Sequence, residues 1–105
     1  GAEVIPFFGV PSMHTTATST LARLGNAVAI PFFPMRNPDG TYTHTLYPPL
    51  DGLPSKDVIA DTKKYVALLE DHVRKCPEQY FWIHRKFKNL PEGYEDYYAD
   101  LDALK

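Results

Sequence analysis

The chain has 105 residues, one domain's worth, with 44% hydrophobic and 13% aromatic residues and a formal net charge of -2. That composition can form a core and excludes a nucleic-acid binder held by counterion release, which needs a marked excess of lysine and arginine. A single cysteine, Cys76, excludes an internal disulfide and fits a reducing compartment, and no apolar run reaches the ~18 residues of a membrane-spanning helix.

Glu3 to Phe8 has the β-branched and aromatic content of a short buried strand, broken at Gly9-Val10-Pro11. Ser12 or Thr15 is suited to cap a helix running to about Leu24, with Ala17, Leu21 and Leu24 facing a core and Gly25-Asn26 ending it in a left-handed turn. Threonine is a mediocre helix former, yet five hydroxyl residues fall among the six positions 15–20. Thr16 and its neighbours either cap and solvate the helix or hold an anion at its first turn.

Ala27 to Phe33 is a nearly unbroken apolar run, which suits a strand buried on both faces of a sheet. Asn37-Pro38-Asp39-Gly40 spells a type I turn, and the alternation from Thr41 to Tyr47 predicts an antiparallel return strand at the sheet's edge, stopped by Pro48 and Pro49. After a loop over 50–54, Ser55 is placed to cap a long helix ending near Cys76. Its apolar stripe is Val58, Ile59, Thr62, Tyr65, Val66, Leu69, His72 and Val73, and Pro77 prevents its continuation. Residues 92–105 carry five acidic groups and read as a surface helix or tail of the same single domain. The expected fold is α/β, part of a mixed sheet with flanking helices.

The most informative stretch is Pro77 to Lys88. Three aromatics and an isoleucine (Tyr80, Phe81, Trp82, Ile83) run directly into His84, Arg85, Lys86 and Lys88. An apolar half that must bury, joined to a basic half that stays near water or an anion, marks a place where the interior meets an anionic ligand. Trp82 and Phe87 are expected to pack inward, leaving Arg85 and Lys88 to point the same way. Arg36 follows the apolar run and would emerge at the carboxyl end of that strand, where open α/β sheets bind ligands; the plain alternative is a surface arginine in a hairpin. Of the pairs Phe7-Phe8 and Phe32-Phe33, one ring each can line a groove while the other packs inside, so Phe8 and Phe33 are groove candidates. His72 and Cys76 lie four apart on one helical face, but two ligands do not make a zinc site, and Cys76 at a helix C-terminus is a poor nucleophile.

Pro77-Glu78-Gln79-Tyr80-Phe81-Trp82-Ile83-His84-Arg85-Lys86-Phe87-Lys88, with Pro91-Glu92-Gly93, resembles the C-terminal signature of the bacterial lipid A biosynthesis acyltransferases. Val4-Ile5-Pro6-Phe7-Phe8-Gly9-Val10-Pro11 and Ala27-Val28-Ala29-Ile30-Pro31-Phe32-Phe33-Pro34-Met35-Arg36 match in the same order, so the resemblance runs from about Val4 to Gly93. It implies the C-terminal half of an acyltransferase fold, at the cytoplasmic face of the bacterial inner membrane. The implied activity transfers a fatty acyl group from acyl carrier protein thioester to a lipid A precursor, without metal or organic cofactor. The family's catalytic signature is a His followed five positions on by Asp or Glu. Here the fifth residue after His14, His44, His72 and His84 is Ser19, Pro49, Pro77 and Asn89. The chain is therefore expected to contribute no catalytic residue and to be inactive alone. Arg36 and the cluster His84, Arg85, Lys86 and Lys88 would contact the precursor's phosphates or the acidic carrier protein, with Phe8, Phe33 and Thr16 as further substrate contacts. The alternative is a non-catalytic module that binds an anionic lipid or a protein partner, its basic residues no more than a solvated strip.

Overall fold

The computed structural model describes residues 1–104. Two strands, β1 (Ala2–Phe7) and β2 (Val10–Thr15), pair antiparallel, with Ile5 and Phe7 buried on one and Ser12 and His14 on the other. Phe8 and Gly9 alone join them, at φ of 50° and 76°, the mirror-image turn whose twist suits a tight hairpin. Gly9 adopts this without steric cost. Phe8 is held in it by its N–H, which donates to Glu70 Oε2 at 3.0 Å, and by its edge-on contact with the Phe7 ring. Thus the helix expected to start at Ser12 or Thr15 gives way to a second strand. Pro11 sits there opposite Pro6, one pair beyond the turn-closing residues, where an antiparallel ladder requires no N–H donor.

Helix α1 (Ala17–Leu24) follows and ends at Asn26, whose φ of 48° supplies the expected left-handed turn. Its orientation is the reverse of the apolar reading. Ser19 and Ala22 are buried, while Leu21 and Leu24 are exposed. The cause is a polar lock. Ser19 Oγ donates to Asp61 Oδ2, and the same carboxylate accepts from the Ser55 N–H (2.8 Å) and the Ser55 hydroxyl (2.6 Å). A buried carboxylate without donors would be costly, and satisfying it fixes which side of α1 faces α2.

Strands β3 (Phe32–Arg36) and β4 (Tyr42–Leu46) form a second antiparallel hairpin, closed at Asn37 to Gly40, where the Gly40 N–H donates to the Asn37 carbonyl at 3.0 Å. The α/β class stands. The mixed sheet, however, is two separate two-stranded antiparallel hairpins, and no parallel strand forms over Ala27–Phe33. That run pairs only with the return strand, its Ala29 and Pro31 carbonyls accepting from Leu50 and Tyr47, so Val28, Ile30 and Phe32 stay exposed.

Helix α2 (Val58–Lys75) is the spine. Asp57, rather than Ser55, caps it by accepting from the Ala60 N–H, and Ser55 is taken up by Asp61. The expected stop at Pro77 holds, and a single 3₁₀ turn (Pro77–Gln79) leads away. Val66 and Val73 join Ile5 and Phe7 in the core, with Tyr65, Leu69, Tyr80 and Phe87 packed around them. Each such side chain buried contributes about 1.5–3 kcal/mol. Of the apolar half of the signature stretch only Tyr80 and Phe87 pack this way. Phe81 and Ile83 are exposed, and Trp82 is half-exposed with Nε1–H donating to the Pro77 carbonyl. A four-residue helix, α3 (Ala99–Asp102), ends the described chain.

Burial raises the Asp61 pKa, but hydrogen bonds from Ser19 and Ser55 and the charge of Lys64 outweigh it and hold the carboxyl below its ordinary value. Its stabilising contribution is therefore present above an unfolded pKa of about 3.9 and lost as pH falls through the lower folded value. Asp61→Ala strands the buried Ser19 hydroxyl and the part-buried Ser55 hydroxyl and should lower the unfolding free energy by about 2 kcal/mol or more in a urea titration. A loss no greater than that of the exposed Asp71→Ala would refute the lock.

Candidate functional site

The basic cluster of the signature stretch is assembled around one ring. Phe7, fully buried, contacts the rings of Phe8, His14, Tyr80, Trp82 and Phe87, and the Lys86 ammonium lies 4.9 Å from its centroid. Ser12 Oγ donates to the Lys86 carbonyl at 2.9 Å, tying the loop to β2. The ammonium also sits 3.5 Å from His14 Nδ1. An ammonium only donates, so Nδ1 accepts and the ring proton is on Nε2, a buried nitrogen without a partner among the described residues. Burial, then the Lys86 charge, lowers the His14 pKa to about 4; burial also lowers that of Lys86. His14 is not among the sequence's site candidates. Lys86 is read from the sequence as one of the four basic residues placed to meet an anion, and nothing marks His14 as its partner.

The structure divides the expected anion-binding residues among different surroundings. Arg85 donates to Asp102 Oδ1 at 2.7 Å and lies over the Tyr98 ring, while the Phe87 N–H donates to the Tyr98 hydroxyl. The Asp102 hydrogen bond raises the Arg85 pKa further. The acidic tail, which carries no chemistry in the sequence reading, is thus docked on the basic loop. His84 and Lys88 are exposed, and together with Met13, Tyr80, Arg85, Lys86 and Asn89 they line a cleft of about 230 Å³. Arg36 stands elsewhere, on the second hairpin. Its N–H donates to Gln79 Oε1 (2.7 Å) and its carbonyl accepts from Gln79 Nε2 (2.9 Å), so a side-chain amide clamps the hairpin to the turn after α2.

Two apolar clefts flank Phe33. One, of about 260 Å³, is lined by Ala29, Ile30, Pro31, Phe32, Phe33 and Leu50 with Tyr65, Leu68, Leu69 and Thr18. The other, of about 210 Å³, runs past Pro34, Leu69, His72, Val73 and Cys76 to Gln79, Tyr80 and Phe81, beside the clamped Arg36 backbone. Phe33 and Leu69 line both. Phe8 lines neither. It sits at the β1–β2 turn beneath the Arg74 guanidinium, 5.0 Å from its centroid. Thr16 is buried, and both its N–H and its hydroxyl donate to the Gly1 carbonyl, so its hydroxyl does not face an anion at the start of α1.

The histidines are held by contacts other than carboxylates. His72 stacks on Phe33 (4.5 Å between centroids), His44 stacks on Phe32, His14 meets Lys86 and His84 is exposed. Among the described residues no histidine forms an ion pair with an acid, and no group of three or more His, Cys, Asp or Glu is arranged to hold a metal ion.

Comparison with known proteins gives a consistent result. The profile of the family described as bacterial lipid A biosynthesis acyltransferase matches residues 1–89. The chain is 38% identical over 91 residues to the lipid A biosynthesis lauroyltransferase of Escherichia coli (strain K12), covering 85% of this chain and 30% of that protein. It is 36% identical over 94 residues to a lipid A biosynthesis acyltransferase of Haemophilus influenzae, covering 87% and 30%, and 33% identical over 100 residues to the lipid A biosynthesis palmitoleoyltransferase of Escherichia coli, covering 93% and 32%. The chain thus spans about 30% of the length of these relatives. No solved structure matches it significantly.

The His14 environment makes a pH prediction. A folded pKa of about 4 against an unfolded value of about 6.5 means that the unfolded chain binds the extra proton first. Stability is therefore full above about pH 6.5 and declines toward pH 4, by at most about 3 kcal/mol. Denaturation midpoints across this range should fall for the wild type and stay flatter for His14→Gln. Equal slopes, or NMR titration of His14 near 6.5, would contradict the assignment.

Proposed function

The chain belongs to the bacterial lipid A biosynthesis acyltransferases, and from that membership we propose that its residues form substrate-contacting walls of an enzyme that moves a fatty acyl group from acyl carrier protein thioester to a lipid A precursor. In this reaction a histidine takes the proton of the acceptor hydroxyl, an acidic partner orients the imidazole, and the alkoxide attacks the thioester carbonyl. The carbon–sulfur bond breaks, the ester forms, and the proton passes to the departing thiolate. The histidine and its acid lie outside these residues, and the complete enzyme works at the cytoplasmic face of the inner membrane.

The observation that carries this reading is the apolar pair of clefts meeting at Phe33. An acyl chain needs a dry, elongated surface, and the first cleft is walled almost wholly by aliphatic and aromatic side chains. Arg36, exposed and free of any ion pair among the described residues, stands where the second cleft reaches Gln79 and is available to an anionic group of donor or acceptor. No helix among the described residues is long and apolar enough to cross a membrane.

In a complete enzyme carrying this segment, Ile30→Trp fills the first cleft and should reduce kcat/KM at least tenfold more for a long-chain than for a short-chain acyl thioester. Equal losses for both chain lengths would remove the groove assignment. Arg36→Ala should weaken apparent substrate affinity by about 1 kcal/mol or more, as loss of a charge-assisted contact does.

A further inference from the structure

We propose that the free edge and outer face of the β3–β4 hairpin are the seam at which these residues join the remainder of a complete enzyme, which lays a strand of its own beside β4. The register decides which backbone groups are available. The Asn37 N–H donates to the Thr41 carbonyl and the Tyr47 N–H to the Pro31 carbonyl, so the bonds between β3 and β4 fall on the pairs Phe33–Thr45 and Met35–Thr43. The N–H and C=O groups of Tyr42, His44 and Leu46 then point away from β3, and among the described residues none of them has a hydrogen-bond partner. The opposite edge is partly closed, because Gln79 takes both backbone groups of Arg36 and Pro34 has no N–H. Natural edge strands are guarded by charge, proline or a bulge, yet Thr41 to Tyr47 contains no Asp, Glu, Lys, Arg or Pro.

The side chains repeat the pattern. Phe32 lies opposite Leu46 and stacks on His44, and on this face Phe32, Tyr42 and Leu46 are 49%, 60% and 70% exposed, whereas the other face rests on α2 through Phe33 and His72. A two-stranded hairpin is marginal in water, and a third strand is what makes it secure. The chain exposes 7409 Å² where a compact monomer of its mass exposes about 5,900 Å², and the excess of about 1,500 Å² is the share that one side contributes to an obligate interface. The occupant is polypeptide rather than lipid, because an open edge needs hydrogen-bond partners that hydrocarbon does not offer. It is the same polypeptide rather than a second copy. These residues match only 30% of the length of their relatives, so most of a complete enzyme lies outside them, and a tethered segment acts at roughly millimolar effective concentration.

The test places a photoreactive side chain on the seam of a complete enzyme carrying this segment, as Leu46→p-benzoylphenylalanine and separately as Tyr42→p-benzoylphenylalanine, which keeps an aromatic ring should the first variant not fold. The purified enzyme is irradiated and its adducts are mapped by mass spectrometry. The proposal expects an adduct within one chain, from position 46 or 42 to a peptide outside these 105 residues. Adducts joining two chains assign the face to a second copy, and adducts to lipid or detergent alone assign it to the membrane. Either result overturns the seam, as does an adduct confined to these residues or none at all. The unsubstituted enzyme gives a reading that needs no variant: the amides of Tyr42, His44 and Leu46 should exchange hydrogen at least about a hundredfold more slowly than in an unstructured peptide, and exchange at the unstructured rate also overturns the seam. The seam rests on family membership and not on the acyl groove, and because neither measurement reads acyl transfer, its failure is separable from failure of that groove.

Discussion

The Phe7 ring is the contact on which the rest of the structure depends. It is fully buried at the end of β1, packs with Ile5, Val66 and Val73, and touches five other aromatic rings. The same ring carries the Lys86 ammonium on its face. One side chain thus closes the core of the β1–β2 hairpin against α2 and sets the position of the basic loop more than seventy residues further along the chain. Burial provides the driving force, and the ring's quadrupole provides a direction in which a cation is favoured.

Around that anchor the chain presents two chemically distinct surfaces. The Phe33 side is apolar and joins the second hairpin to α2 through ring stacking on His72 and the clamp from Gln79 to the Arg36 backbone. The Lys86 side is cationic and is bounded by the docked acidic tail, whose Asp102 and Tyr98 take up Arg85. A fatty acyl donor and an anionic group make opposite demands on a surface, and separating the two lets each be met without burying a charge beside a hydrocarbon wall.

What was legible in the sequence is what local chemistry decides. The first strand, the Asn37 to Gly40 turn, the return strand and the long helix ending before Pro77 all announce themselves through alternation, turn residues and periodicity. The failures come from tertiary partners. Phe8-Gly9 turned the chain back into β2 because Glu70 and the Phe7 ring hold an aromatic residue at positive φ, which no propensity foretells. Helix α1 turned Ser19 rather than Leu21 and Leu24 inward because Asp61, forty-two residues away, needed donors there. The run Ala27 to Phe33 looked doubly buried, but composition cannot say how many strands will lie beside it. For the site, Arg36, His84, Arg85, Lys88 and Phe33 were visible as residue types. That Arg85 is paired with the tail, and that His14 backs Lys86, depended on contacts seventeen and seventy-two residues apart.

The function proposed above is a division of labour in which these residues would shape and grip substrate while a histidine outside them abstracts the proton. Replacing His14, His44, His72 and His84 one at a time by Gln in a complete enzyme carrying this segment, and measuring single-turnover acyl transfer at saturating substrate, tests it most directly. The account predicts that each folded variant keeps its rate within about tenfold of the parent, since loss of a general base costs roughly 10²–10⁴-fold. A loss of about a thousandfold at any of the four, with the fold intact, would contradict it.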